Sequence, residues 1–289
     1  MLIDTHAHVN FNAYKLDADE IIRRCFENDI WIINVGSQYE TSKRAIEMAE
    51  KYPQGVFATV GLHPIHLTDG IFKVKLDEEE VSFQTKDENF DYEKYKELAK
   101  SEKIVAIGEI GLDYYYKPKT KRKLELFKEK QKEVLLGQLD LAKELNLPVI
   151  FHCRMAHKDL IQFLKENKEA RPPQAIAHAF VGNQEELKEY LDLDYYIGFN
   201  GIIFKKIEGI DFEENIRQTP LERILLETDC PYLTPPLPAE ALAKAGQKEG
   251  RNEPLYLKYI VQKIAEIKNI DFEKVAEITT QNARNLFKI

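Results

Sequence analysis

LIDTHAHV, residues 2–9, is a short apolar run that ends in two histidines spaced two apart. Alternation along a strand sends His6 and His8 to the same side, where two imidazoles make a clamp for a metal ion. Alone, such a pair equally fits a polar strand end. Its meaning depends on whether other metal-competent residues also end strands.

Periodicity predicts eight strands, near Leu2–His6, Ile30–Gly36, Val56–Leu62, Ile104–Glu109, Pro148–His152, Gln174–His178, Tyr195–Phe199 and Arg223–Thr228. The stretches between them, such as Asp19–Glu27, Glu40–Lys51, Leu124–Leu145 and His157–Glu166, space apolar residues as helices do. Eight strand–helix units in this length predict an α/β fold, a (β/α)8 TIM barrel, rather than an open sheet. A last helix over Asp271–Ile289 is expected on the outside of the barrel. No linker or second composition regime interrupts residues 1–289, so a single domain is expected. The exception is 69–92, an insertion after the third strand rich in acids (Asp77, Glu78, Glu79, Glu80, Asp87, Glu88). Its length fits a functional lid or a disordered segment.

With 289 residues, 44% hydrophobic and 31% charged, the chain is long enough for a large core. It shows no signal-peptide pattern and no apolar run of membrane-spanning length, so a soluble, cytoplasmic protein is expected. Three separated cysteines, Cys25, Cys153 and Cys230, form no disulfide framework, which fits a reducing compartment. A net charge of −8 argues against tight non-specific binding of nucleic-acid backbone, so recognition of a polyanion would have to be local.

The candidate chemistry gathers at strand ends, the rim on which barrel enzymes place their active sites. Glu109 ends the fourth strand, His152 the fifth and His178 the sixth, while Asp229 follows the eighth. With His6 and His8 they form a set of six metal-competent residues, enough for two divalent ions. Glu109, between the two groups in barrel order, is the expected bridge, and Asp229 can both bind metal and orient the attacking water. Asp4 and Glu227 are placed to hydrogen-bond ligating imidazoles or to be buried polar residues without that role. Zn²⁺ suits the imidazoles, whereas Mg²⁺ or Mn²⁺ suits carboxylates and phosphate chemistry. Arg154, two residues past His152, is a candidate phosphate clamp. Within the run Tyr114, Tyr115 and Tyr116, a ring such as Tyr114 could stack on an unpaired base or simply pack on the rim. The cations Lys117, Lys119, Lys121, Arg122 and Lys123 stand near a helix start, where the macrodipole disfavours positive charge, which suggests phosphate contacts or else a solvated basic turn that pairs with the acidic insertion. His66 and His157 are expected on solvated loops or helix starts. Cys153 and Cys230, neighbours of ligands, are expected to face away from the barrel axis.

The strings DTHAHVNF (4–11), VGLHP (60–64), IGEIGLDYY (107–115), LNLPVIFHCR (145–154), HAFVG (178–182), IGFNG (197–201), ETDCPYL (227–233), RNEP (251–254) and NARNLF (282–287) together resemble the TatD-like family of metal-dependent deoxyribonucleases. The resemblance covers nearly the whole chain. It implies a TIM barrel with two divalent cations and phosphodiester hydrolysis, often as a 3′ to 5′ exonuclease on DNA, with single-stranded DNA or 3′ ends as substrate. Motif by motif it implies His6, His8, Glu109, His152, His178 and Asp229 as metal ligands, and places His63 near the scissile phosphate. Many related barrels use a carboxylated lysine where this chain has Glu109. The acidic insertion departs from the family pattern. Two rival functions remain open: a barrel hydrolase acting on an amide, lactone or phosphotriester, and a non-catalytic scaffold.

Overall fold

The computed structural model describes residues 1–67, 70–76, 79–85, 88–238 and 251–289, as backbone alone at 70–76 and 79–85. In chain order the strands are β1 (Leu2–Ala7), β2 (Ile30–Asn34), β3 (Val56–Val60), β4 (Gly70–Leu76), β5 (Glu79–Thr85), β6 (Ile104–Asp113), β7 (Val149–Arg154), β8 (Ala175–Ala177), β9 (Tyr196–Phe199) and β10 (Ile224–Leu226). Eight of the described strands form one parallel sheet in the order β1-β2-β3-β6-β7-β8-β9-β10. Its two ends meet through other bonds. Asp229 donates its N–H to the His6 carbonyl at 2.8 Å and His8 donates to that of Cys230 at 2.9 Å. The Thr5 hydroxyl donates to the Leu226 carbonyl at 3.0 Å. The result is the expected TIM barrel.

β1, β6, β8 and β10 are buried along their whole length, as parallel strands covered on both faces must be, and only single residues of β2 and β3 are half-buried. Around them run α1 (Ala18–Glu27), α2 (Tyr39–Ala49), α3 (Tyr92–Leu98), α4 (Lys121–Leu145), α5 (His157–Glu166), α6 (Gln184–Asp192), α7 (Phe212–Gln218), α8 (Leu257–Lys268) and α9 (Phe272–Phe287). Local sequence sets several of their ends. Asn183 and Glu186 cap α6 reciprocally, and Asn146 and Asn269 end α4 and α8 in the left-handed conformation, which asparagine tolerates.

Two findings differ from the sequence reading. The α9 helix does not merely lie outside the barrel: Ala283, Leu286 and Phe287 share an apolar cluster with Ile3, Ile33, Ile150, Ile176 and Leu225. Thr280 bonds the Met1 carbonyl and Asn282 those of Leu221 and Ile224, so α9 closes the end of the barrel where β1 and β10 begin. The insertion contains an antiparallel hairpin, β4 with β5, where one of the two expectations was a disordered segment. Asp77, Glu78 and Asp87 lie outside the described residues, as do the side chains of Glu79 and Glu80. Glu88 marks the return to the barrel. Its N–H donates to the His66 carbonyl at 2.9 Å, and its carboxylate accepts from the Tyr95 hydroxyl at 3.0 Å.

Candidate metal centre

Alternation within the apolar strands decides what faces the opposite mouth. Ile150, Ile176 and Leu225 of the inner cluster are each followed two residues later by a polar group: His152, His178 and Glu227. On β1 the register with β2 shifts between Asp4 and Ala7, so strict alternation fails there. The shift turns Asp4 into the seam, where it accepts from the Thr228 N–H at 2.9 Å and the Thr228 hydroxyl at 2.5 Å. Of the two roles open to Asp4, it is therefore the buried polar residue and not a support for the His6 imidazole. His6 Nδ1 is buried and has no hydrogen-bond partner among the described residues.

Four donor atoms converge in the first half of the site. His6 Nε2 lies 3.2 Å from His8 Nε2, 3.4 Å from Glu109 Oε2 and 3.9 Å from Asp229 Oδ1, and His8 Nε2 lies 3.4 Å from the same Asp229 oxygen. Donors held tetrahedrally about 2.1 Å from one cation stand about 3.4 Å apart, so this donor set fits a divalent ion. His8 donates Nδ1–H to the Val35 carbonyl at 3.0 Å, which leaves the Nε2 lone pair facing the cluster.

Glu109 offers its other oxygen to a second group. Oε1 lies 2.6 Å from His152 Nδ1, 3.4 Å from His63 Nε2 and 3.8 Å from His178 Nε2. His178 Nε2 also reaches within 4.0 Å of Asp229 Oδ2, and its ring stacks on His6 at 3.5 Å. Glu227 Oε2 holds His178 Nδ1 at 2.9 Å, so of its two open roles Glu227 takes the one that bonds an imidazole. The barrel makes room for that carboxylate at Gly198, where a Cβ would fall 2.2 Å from Glu227 Oε1.

The electrostatics follow from burial. Burial drives the His6 imidazole down to about 4, with the His178 charge adding to it. Burial also opposes protonation of His178, but Glu227, then Glu109 and Asp229, override it and carry that imidazole up to about 10. Glu109 is the converse case. Burial pushes its carboxyl up, yet the charge of His63 and hydrogen bonds from His152, His6 and His63 bring it well below the usual carboxylate range. These groups hold a compact, largely buried array of negative and imidazole donors, the environment into which a dication fits.

Asp113 belongs to this array, and sequence reasoning missed it. It stands four residues after Glu109 on β6, and that even spacing is the signal that could have found it. Its Oδ2 lies 3.0 Å from His152 Nε2 and 3.1 Å from Arg154 Nε, and its Oδ1 accepts the Tyr115 N–H at 2.9 Å. Burial works against ionisation, but the His152 hydrogen bond and charge and the Arg154 charge hold Asp113 below the ordinary carboxylate range. Two buried amides on one face of α4 brace the strand ends. Gln131 pairs with both main-chain groups of Asp113 at 2.9 and 3.0 Å, and Gln138 with both of Leu62, next to His63, at 2.7 and 3.1 Å.

Other candidates part company. Tyr114, considered as a stacking ring, is 4% exposed and packs against Phe127 and Lys128 of α4. The reason is parity: Asp113 faces the mouth, so Tyr114 faces the helix layer. His66 and His157 are buried rather than solvated. Burial drives His66 down to about 3, and His157, at the first position of α5, bonds the Tyr190 hydroxyl at 3.0 Å. The three cysteines are buried and unpaired. Lys121, Arg122 and Lys123 form the exposed first turn of α4.

A family model described as TatD related DNase matches residues 3–288. The chain belongs to the TatD-related DNase family. A metal-dependent hydrolase of Bacillus subtilis, YabD, is 38% identical over the full length of both chains. The protein named 3'-5' ssDNA/RNA exonuclease TatD in Escherichia fergusonii is 32% identical, with all of this chain and 99% of that one covered. Among solved structures, YJJV, a TatD homologue from Escherichia coli K12, superimposes with a TM-score of 0.80 at 27% identity, covering 100% and 98% of the two chains. An organophosphorus hydrolase from Deinococcus radiodurans, at 13% identity and a TM-score of 0.59, shares the barrel fold alone. As a TatD-family member the chain is a metal-dependent hydrolase, and no helix among its described residues is long and apolar enough to cross a membrane.

Proposed function

We propose that this TatD-family hydrolase is a two-metal exonuclease that removes nucleotides from the 3′ end of single-stranded DNA. The observation that carries the reading is the division of Glu109: one oxygen faces His6, near His8 and Asp229, and the other faces His152 and His178. His6, His8 and Asp229 would hold one ion, His152 and His178 the other, with Glu109 shared. Two divalent cations so held make water more acidic and offset the charge that builds on phosphorus. The nuclease named in Escherichia fergusonii supports DNA or RNA as the substrate class.

The chain's own residues supply the rest. Asp229 sits at the mouth with φ 55°, a left-handed conformation often kept where function requires it. Its carboxylate orients the attacking water and takes its proton as the new oxygen–phosphorus bond forms. His63 is poised at the other end of the reaction. Its Nδ1 accepts the Ile65 N–H at 3.0 Å, so the ring proton sits on Nε2, and burial, with the His152 charge, disfavours a second proton on the ring. That tautomer makes His63 a donor rather than a ligand. Its Nε2–H can donate a hydrogen bond to the 3′ oxygen as the phosphorus–oxygen bond breaks, while that oxygen takes its proton from water, releasing a 5′ mononucleotide and a new 3′ hydroxyl. Arg154, tethered through Nε to Asp113, would clamp a phosphate of the substrate strand.

Digestion of end-labelled single-stranded DNA and RNA with Zn²⁺, Mg²⁺ or Mn²⁺ tests the proposal. Stepwise release of mononucleotides from the 3′ end is expected. Hydrolysis of lactones, amides or phosphotriesters with no cleavage of either nucleic acid would overturn it in favour of a rival barrel hydrolase.

A further inference from the structure

The run of three tyrosines after β6 splits in a way that packing does not explain. Tyr114 is buried, whereas Tyr115 is 55% and Tyr116 38% exposed, and Met155, next to Arg154, is 64% exposed. Scattered apolar exposure is ordinary, but here three large groups are exposed around one strand-end arginine at the mouth of the site.

Their arrangement is ordered. The Arg154 guanidinium lies over the Tyr115 ring at 4.1 Å and is 5.3 Å from the Tyr116 ring. The two tyrosine rings meet at 4.7 Å with planes 87° apart. Seen from Tyr115, Arg154 and Tyr116 lie in different directions, with Arg154 over one face of the ring. Tyr115 keeps 55% exposure despite both contacts. Asp113 fixes the assembly from below: it accepts from Arg154 Nε and the Tyr115 N–H and contacts His152 Nε2. The open ring is thereby tied to the metal centre through one carboxylate.

We propose that Tyr115, backed by Arg154 and Tyr116, is a stacking ledge for the unpaired base at the end of the strand being degraded. The inference rests on the nuclease reading above and adds to it the part of the substrate that is recognised. A π-face is present on every base, so such a ledge tolerates sequence while requiring an unstacked, single-stranded end. The same Arg154 that covers Tyr115 is positioned to take a phosphate of that nucleotide, which couples base seating to phosphate placement.

The test is a cycle of substitutions on protein and substrate, using the metal-loaded full chain. Oligonucleotides carry either normal or abasic residues over the last three positions of the end that is shortened. Tyr115→Ala should raise KM for the base-bearing strand roughly ten- to hundredfold, with a smaller effect on kcat. Tyr115→Phe should restore it, and Tyr115→Leu should fall between. The abasic end should itself raise KM for the parent, and the two losses should not add: Tyr115→Ala on the abasic strand should be no worse than either change alone. Additive losses, or no loss with Tyr115→Ala, would overturn the ledge while leaving the nuclease reading in place. Absence of metal-dependent cleavage of any oligonucleotide would overturn the nuclease reading and the ledge with it.

Discussion

Gln131 of α4 pairs with the main chain of Asp113 as a second strand would, accepting its N–H at 2.9 Å and donating to its carbonyl at 3.0 Å. Asp113 in turn contacts His152 and Arg154, so a residue in the middle of a helix fixes one side of the candidate metal centre.

Gln131→Leu should therefore act on both stability and activity. It leaves two buried main-chain groups unpaired, a loss of about 1–3 kcal/mol for each, seen as a fall of several degrees in Tm. Freed of its brace, Asp113 should hold His152 and Arg154 less firmly, so metal affinity and kcat/KM on single-stranded DNA should fall together. Unchanged metal affinity alongside the lower Tm would reduce Gln131 to a packing role.

Metal binding should release a proton from His178. In the metal-free protein Glu227, Glu109 and Asp229 overcome burial and keep this imidazole protonated up to about pH 10, whereas a ligand must be neutral. Because the folded value lies above the unfolded one, the stability it contributes is fully present below about pH 6.5 and is lost as pH rises toward 10. Metal affinity should move oppositely and strengthen with pH over the same window. Calorimetric titration at pH 7.5 in two buffers of different ionisation enthalpy counts the protons released. Glu227→Gln, which keeps a hydrogen-bond acceptor but removes the charge, should reduce the count. An identical count in both proteins would contradict the assignment to His178.

Chelation should separate the site from the scaffold. The donors sit at the mouth, while Ile3, Ile33, Ile150, Ile176 and Leu225 fill the barrel beneath them and α9 seals its far end. Treatment with a chelator should abolish hydrolysis with little change in far-UV circular dichroism. Cooperative unfolding on metal removal would show instead that the ions hold the barrel together.

Much of this architecture was legible because strands and ligands obey one short-range rule. Ile150 and His152, Ile176 and His178, and Leu225 and Glu227 alternate on the same face, so locating a strand also locates its mouth residue. The rule failed at β1, where a register shift depends on pairing with β2 and moved Asp4 into the seam. Asp113 obeyed the rule and was legible in principle from its spacing to Glu109. Gln131 and Gln138 were not, because their partners are main-chain groups 18 and 76 residues away and carry no side-chain signature. The burial of His66 and His157 was hidden for a related reason. A lone histidine has no periodic partner, and its environment is set by elements distant in sequence: Glu88 returning from the hairpin for His66, and Tyr190 of α6 for His157.

The metal content of the reconstituted protein tests the central claim, that Glu109 joins two ions in one centre. Measured by mass spectrometry after exhaustive removal of loosely bound metal, the parent should hold about two ions per chain. His178→Asn should deplete mainly one. Glu109→Gln keeps the side-chain size but removes the shared charge, so both ions should be lost together, and hydrolysis with them. Two tightly bound ions and near-normal hydrolysis in Glu109→Gln would contradict the account.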